Sequence, residues 1–193
     1  TLASFDRIVG EQIRRDVESN DLALVRAIAL EADVSIGNAL KTVVGLSEYS
    51  EVIEMDIAGM EPVFQVILDA RPDVNLVYLL DKNGIMVFHY PIDPVSTVGT
   101  NFSFREYFQD ALISSAPLIS EGRISPTTNQ AVATAVMPIR SPQGTFLGIV
   151  GTNIKLESMS ETLSAIFEEY SGEEDFDVLI LDASGQVIAH PSP

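Results

Sequence analysis

The 193-residue chain has no cysteine, only two histidines (His89 and His190), only three lysines, and no apolar run long enough to cross a bilayer. The lack of cysteine removes disulfide frameworks, thiol nucleophiles and cysteine-based zinc sites together. It says little about compartment, because a core of this size needs no covalent staples. Cations are scarce too: 11 Lys plus Arg stand against 28 Asp plus Glu, a net charge of −17. Phosphate backbones and anionic lipid surfaces repel such a chain, which argues against nucleic-acid binding. What is present is a core, since 46% of residues are hydrophobic and 20% charged, a balance that excludes global disorder. The length falls between one domain and two. With Thr1 at its start and no signal-peptide pattern, the chain is expected to be a piece of a longer protein.

From Phe5 to Tyr49 no proline interrupts apolar residues spaced three and four apart, such as Leu24, Ile28, Ala32, Ile36, Leu40 and Val43. The spacing predicts a long amphipathic helix, or two in tandem bending at Ser19-Asn20-Asp21 or at Gly37. A single helix of that length would reach roughly 65 Å at 1.5 Å per residue, so it is expected to act as a spine. Its apolar stripe fits an ordinary core helix and equally a spine that pairs two copies of the chain as a homodimer. A second helix is predicted over 60–70, with Pro62 near its first turn and Pro72 just after it. The period then changes to that of strands, 75–80 and 85–88, around Asp81-Lys82-Asn83-Gly84, whose Asn-Gly suits a tight hairpin. A loop over 90–100, a short helix over 102–114, two strands over 131–140 and 145–154, a helix over 156–168 and an acidic linker over 168–175 complete the pattern. Paired strands with short helices between them indicate an α+β fold with an antiparallel sheet.

Val77–His89 matches Val178–His190 at a constant offset of 101 residues, with valine, leucine, aspartate, glycine and histidine coinciding. Internal duplication is the expectation. Residues 1–72 would form the helical spine, 73–170 a first module, and 171–193 a linker and the opening strands of a second, similar module.

Chemistry-bearing motifs are sparse. Neither histidine lies near a nucleophile-elbow serine, and two histidines so far apart have no metal-ligand spacing. No metal or cofactor is expected. The recurrence of His89 at His190 favours a structural role, with a pocket-lining or pH-sensing role as the alternative. Gly148-x-x-Gly151 lies in a strand pattern and lacks the lysine of a nucleotide loop, so its glycines are expected to permit close approach of a neighbour. Carboxylates are too numerous to identify an acid–base pair.

The eight arginines are more informative. Arg105 lies in Phe104-Arg105-Glu106-Tyr107-Phe108, where a guanidinium beside aromatic rings can grip a small carboxylate bidentately. A surface arginine paired with Glu106 or Asp110 would fit the same residues. Ala131, Ala133 and Ala135 share one face of a strand and leave room there for a ligand or for a packed helix.

Leu79–Gly84, Gly99-Thr-Asn-Phe-Ser-Phe-Arg-Glu-Tyr-Phe108, Val136-Met-Pro-Ile-Arg140 and Gly148-Ile-Val-Gly-Thr-Asn-Ile154 resemble, in this order and spacing, the double Cache sensor domain. The resemblance implies a PAS-like membrane-distal module over 73–170 that holds a ligand pocket, followed by a membrane-proximal one. It further implies an extracytoplasmic, non-catalytic sensor within a membrane-spanning signalling protein. A histidine kinase is the first expectation, and a chemotaxis receptor or cyclic-dinucleotide enzyme the alternative. A soluble enzyme acting on small carboxylic acids is the competing class. In family members that bind amino acids, an arginine and an aromatic two positions later grip the carboxylate, and those positions match Arg105 and Tyr107. The family's amine-binding tyrosine and aspartate fall at Arg123 and Asn153, and both departures remove an anchor for an ammonium group. A short organic acid is thus the expected ligand, with an amino-acid-like one the alternative. Tyr78, His89, Ala133 and Ala135 are further candidates for the pocket lining.

Overall fold

The computed structural model describes residues 2–92, 94–170, 179–182 and 184–190. Its first element, α1 (Leu2–Leu46), is one uninterrupted 45-residue helix, about 68 Å long at 1.5 Å per residue. It runs through Ser19-Asn20-Asp21 and Gly37 without a break. Leu24 and Ile28 pack toward the far end of the molecule, and Ala39, Val43 and Leu46 pack on the sheet. Two helices follow, α2 (Ser50–Ile53) and α3 (Ile57–Ala70), the latter starting earlier than its proline suggested and placing Pro62 in its second turn.

Then come β1 (Val74–Asp81), β2 (Met86–Tyr90), α4 (Glu106–Ile113), β3 (Leu118–Ile119), β4 (Arg123–Ile124), β5 (Ala131–Arg140), β6 (Phe146–Lys155) and α5 (Leu156–Tyr170). Six of these strands form one antiparallel sheet in the order β2-β1-β6-β5-β3, with β4 also on β5. α1 and α3 cover one face, where Phe64, Met60, Val77, Leu79, Phe88 and Val150 form a core. α4 and the connecting loops cover the other, over Tyr78, Leu80, Phe102, Tyr107, Phe108 and Ile149. Each strand therefore alternates between a helix-spine face and a loop face.

A separate hairpin, β7 (Ile180–Leu181) with β8 (Val187–Ala189), rests on α5 and α1 through Ile180 and Ala189. Its geometry repeats that of β1–β2 at the 101-residue offset. Leu79↔Phe88 and Leu80↔Met86 correspond to Ile180↔Ala189 and Leu181↔Val187, with the same register shift between the pairs. Asp81 Oδ1 accepts the N–H groups of Asn83 and Ile85, and Asp182 Oδ1 accepts those of Ser184 and Gln186. Gly84 and Gly185 take φ values of 78° and 83°, a conformation open to glycine at no steric cost. The acidic linker begins later than expected, since Glu168 and Glu169 belong to α5. Its remainder, along with Val178 and Pro193, lies outside the described residues.

Candidate functional site

A cleft of about 280 Å³ opens on the loop face between α4 and the β3–β4 segment. Its position follows from the first hairpin. Gly84 O accepts the Phe102 N–H at 2.7 Å and Ile85 bridges Asn101, so the chain leaving the 91–100 loop is pinned to the hairpin turn just before Arg105. Arg105 is thus the residue preceding α4, in extended conformation (φ −72°, ψ 137°), not part of a helical face as its sequence context suggested. Tyr107, in the first turn of α4, is buried. Arg123 enters from the opposite wall on β4, paired with Val132, and its guanidinium lies 5.2 Å from the Tyr107 ring centre.

Beneath these residues lies a polar network on β5 and β6. Arg123 Nη2 donates to Thr134 Oγ1 and, at 3.4 Å, to Asn153 Oδ1. Thr134 Oγ1 donates to Asn153 Oδ1 at 2.7 Å, and Asn153 Nδ2 donates to Ser125 Oγ at 3.2 Å. Thr134 and Asn153 are cross-strand partners, which is why they meet. Tyr78 sits opposite Gly151, and a Cβ at 151 would meet the Tyr78 ring at 2.5 Å. The close approach expected at this glycine is that of an aromatic ring.

Three polar atoms in this region are shielded from solvent and have no hydrogen-bond partner: Tyr78 Oη, Arg105 Nε and Arg123 Nε. Burial holds the Tyr78 hydroxyl well above its ordinary value of 10, and the nearby Tyr107 reinforces this while Arg123 and Arg105 oppose it. It is neutral and able to donate. Native structures rarely leave such groups orphaned without a reason. Each of the three is a hydrogen-bond donor with no acceptor.

The remaining candidates fall elsewhere. Ala133 and Ala135 point to the opposite face, Ala133 packing with Leu24, Ile28 and Leu163, and Ala135 with Ala39 and Val43 of α1. Their small size makes room for the spine helix. His89 is fully buried and shares the cross-strand position of Tyr78, yet its ring binds the 91–100 loop. Nδ1–H donates to Pro91 O at 2.8 Å, and Nε2 accepts the Thr97 N–H at 3.0 Å. Thr97 Oγ1 in turn lies 2.9 Å from Thr127 Oγ1. Burial pushes the His89 pKa below 6.5, partly offset by the bond to Pro91. The sequence reading missed Thr134 and Ser125. Thr134, the polar residue between two alanines in a strand, carried the available signal. A second depression of about 230 Å³ lies between α1, α5 and β7. The arginine at its edge, Arg71, is already committed to Asp73 at 2.6 and 2.9 Å and to Thr42 at 3.0 Å.

The fold is α+β, an antiparallel sheet with a long helix along one face and a cleft on the other. The chain belongs to the Cache domain family, whose profile matches residues 5–193. Its structure is similar to the ligand-binding domain of the Pseudomonas fluorescens chemoreceptor CtaA in complex with L-serine, at 20% identity and a TM-score of 0.72, covering 92% of this chain and 74% of that one. It is similar to that of the Pseudomonas aeruginosa PAO1 amino acid chemoreceptor PctC in complex with GABA, at 21% identity and a TM-score of 0.65, covering 88% and 74%. The Campylobacter jejuni chemoreceptor Tlp3 domain in complex with 4-methylisoleucine is similar at 14% identity and a TM-score of 0.69, covering 88% and 68%. At these identities the likeness is one of fold. No curated protein matches the chain in sequence. Among the described residues, no helix is long and apolar enough to cross a membrane.

Proposed function

We propose that this chain is the extracytoplasmic sensor domain of a membrane-spanning receptor and that its cleft takes a short organic anion, the carboxylate facing Arg105, Tyr107, Tyr78 and Arg123. The carrying observation is that Arg105 and Arg123, each with an unpartnered Nε, line one cleft together with Tyr107, while the unpartnered Tyr78 hydroxyl is buried in the core that Tyr107 belongs to. A carboxylate offers four lone-pair sites to such donors, and charge-assisted bonds of this kind are the strong ones. Asn153 is spent on Thr134, Arg123 and Ser125 and carries no charge. An α-ammonium group would therefore meet a guanidinium where it needs a carboxylate. The net charge of −17 works against anion approach at long range, but it is screened beyond about 8 Å at physiological salt, so the local arginines dominate at contact.

The solved domains it is similar to come from chemoreceptors, which favours chemotaxis as the output, with a sensor histidine kinase or cyclic-dinucleotide enzyme as the alternative. Binding would favour one arrangement of the cleft walls and bias the helices behind the sheet between two states. In a thermal-shift screen of small carboxylates, the reading expects a stabilising hit that Arg105→Ala abolishes. A hit that survives Arg105→Ala would place the ligand elsewhere. A parent gene without an apolar segment of about 20 residues beside this domain would remove the receptor reading.

A further inference from the structure

The cleft has a floor of one charge and a mouth of the other. Arg105 and Arg123, both half-buried, line it together with Tyr107, and the Arg123 guanidinium lies 5.2 Å from the Tyr107 ring centre. Glu106, Asp110 and Glu121 line the same cleft and are all exposed, with Leu118, Ile119 and Ser120 on its wall. Among the described residues no ion pair joins Glu106, Asp110 or Glu121 to Arg105 or Arg123, and the Nε atoms of both arginines have no hydrogen-bond partner.

We propose, building on the anion reading above, that this polarity makes the cleft selective for monocarboxylates and that Glu106, Asp110 and Glu121 exclude dicarboxylates. A ligand enters with its carboxylate on the floor and its other end among the rim acids. A neutral tail is tolerated there against Leu118 and Ile119. A tail ending in an ammonium group is drawn to the rim, whereas an α-ammonium would be forced against the floor arginines. A second carboxylate meets like charge at the rim. It has no place on the floor either, because Arg123 Nη2 is already bound to Thr134 and Asn153. The net charge of −17 adds to the discrimination, since a dianion is repelled more than a monoanion during approach. Exposure of the rim acids limits the effect and makes it dependent on salt.

The test is calorimetric titration of the 193-residue chain with three probes of equal carbon length: pentanoate, 5-aminopentanoate and pentanedioate. At low ionic strength pentanedioate should bind about tenfold more weakly than pentanoate, and the gap should narrow as salt is raised. 5-Aminopentanoate should bind at least as tightly as pentanoate. The Glu106→Gln/Asp110→Asn/Glu121→Gln triple variant, all at exposed positions, should bring the three affinities together. Pentanedioate binding as tightly as pentanoate, with both lost in Arg105→Ala, overturns the rim filter and leaves the anion reading standing. A gap that persists in the triple variant also overturns it. If none of the probes binds, the anion reading fails and the filter fails with it.

Discussion

Tyr78 is the residue at which the proposed site is most exposed to test. Its hydroxyl is buried near Tyr107 and makes no hydrogen bond of ordinary geometry, and an unmade hydrogen bond of a buried group costs about 1–3 kcal/mol. On the proposed function, an acceptor atom of the ligand would recover that cost on binding. Removing a guanidinium from the site should be visible as affinity and nearly invisible as stability. Arg105→Ala is expected to cost about 2 kcal/mol of carboxylate binding, roughly thirtyfold, with little change in melting temperature, measured by titration and by thermal scan.

His89 carries a second expectation, this one in pH. Burial lowers its pKa from 6.5, so the folded state binds fewer protons than the unfolded state, and stability rises with pH through this window. The contribution is complete above the unfolded value of 6.5 and is lost as pH falls through it toward the lowered folded value. Urea midpoints should therefore fall between about pH 7.5 and about pH 5, and His89→Gln should flatten the slope. Asp73, held below its ordinary 3.8 chiefly by its hydrogen bond to Arg71, loses its contribution only below that value and does not blur the histidine window.

At the scale of elements, β5 shows both what sequence can reveal and where it stops. Its bounds, Ala131–Arg140, follow from its pattern, but the assignment of its faces does not. Alternation places Ala133 and Ala135 on one side and Thr134 on the other; only the position of α1 decides that the alanines accommodate the spine and the threonine serves the cleft. Ala135→Leu is accordingly expected to destabilise the fold by about 1–3 kcal/mol through overpacking against Ala39 and Val43. The affinity of molecules that stay folded should not change, as titration below the melting transition would record. Gly151→Ala tests the opposite face, where the new methyl group must displace the Tyr78 ring. It should cost stability and carboxylate affinity together, read by thermal melts and titration. The two-residue strands β3 and β4 had no period for a pattern to reveal, so the wall that carries Arg123 was legible only as an irregular stretch. Arg105 was legible as a residue but not in its conformation, because extended backbone before α4 depends on the distant contact between Gly84 and Phe102.

Over the whole molecule, the 101-residue repeat is the feature sequence rendered most completely, since an Asp-x-x-Gly turn fixes its own hydrogen bonds locally in both copies. The sheet separates two tasks. The cleft lies on one face, α1 lies along the other, and β6, which carries Asn153 to the site, runs directly into α5 at Leu156. On the proposed function, a shift of the cleft walls would reach both helices through strands they already touch. Everything rests on a ligand acceptor meeting the orphaned donors. The most direct measurement is titration of the tightest-binding small carboxylate into the wild-type chain and into Tyr78→Phe, which removes one oxygen and keeps the ring over Gly151. Affinity should fall about three- to tenfold in Tyr78→Phe with the fold intact, and an unchanged affinity would contradict the account.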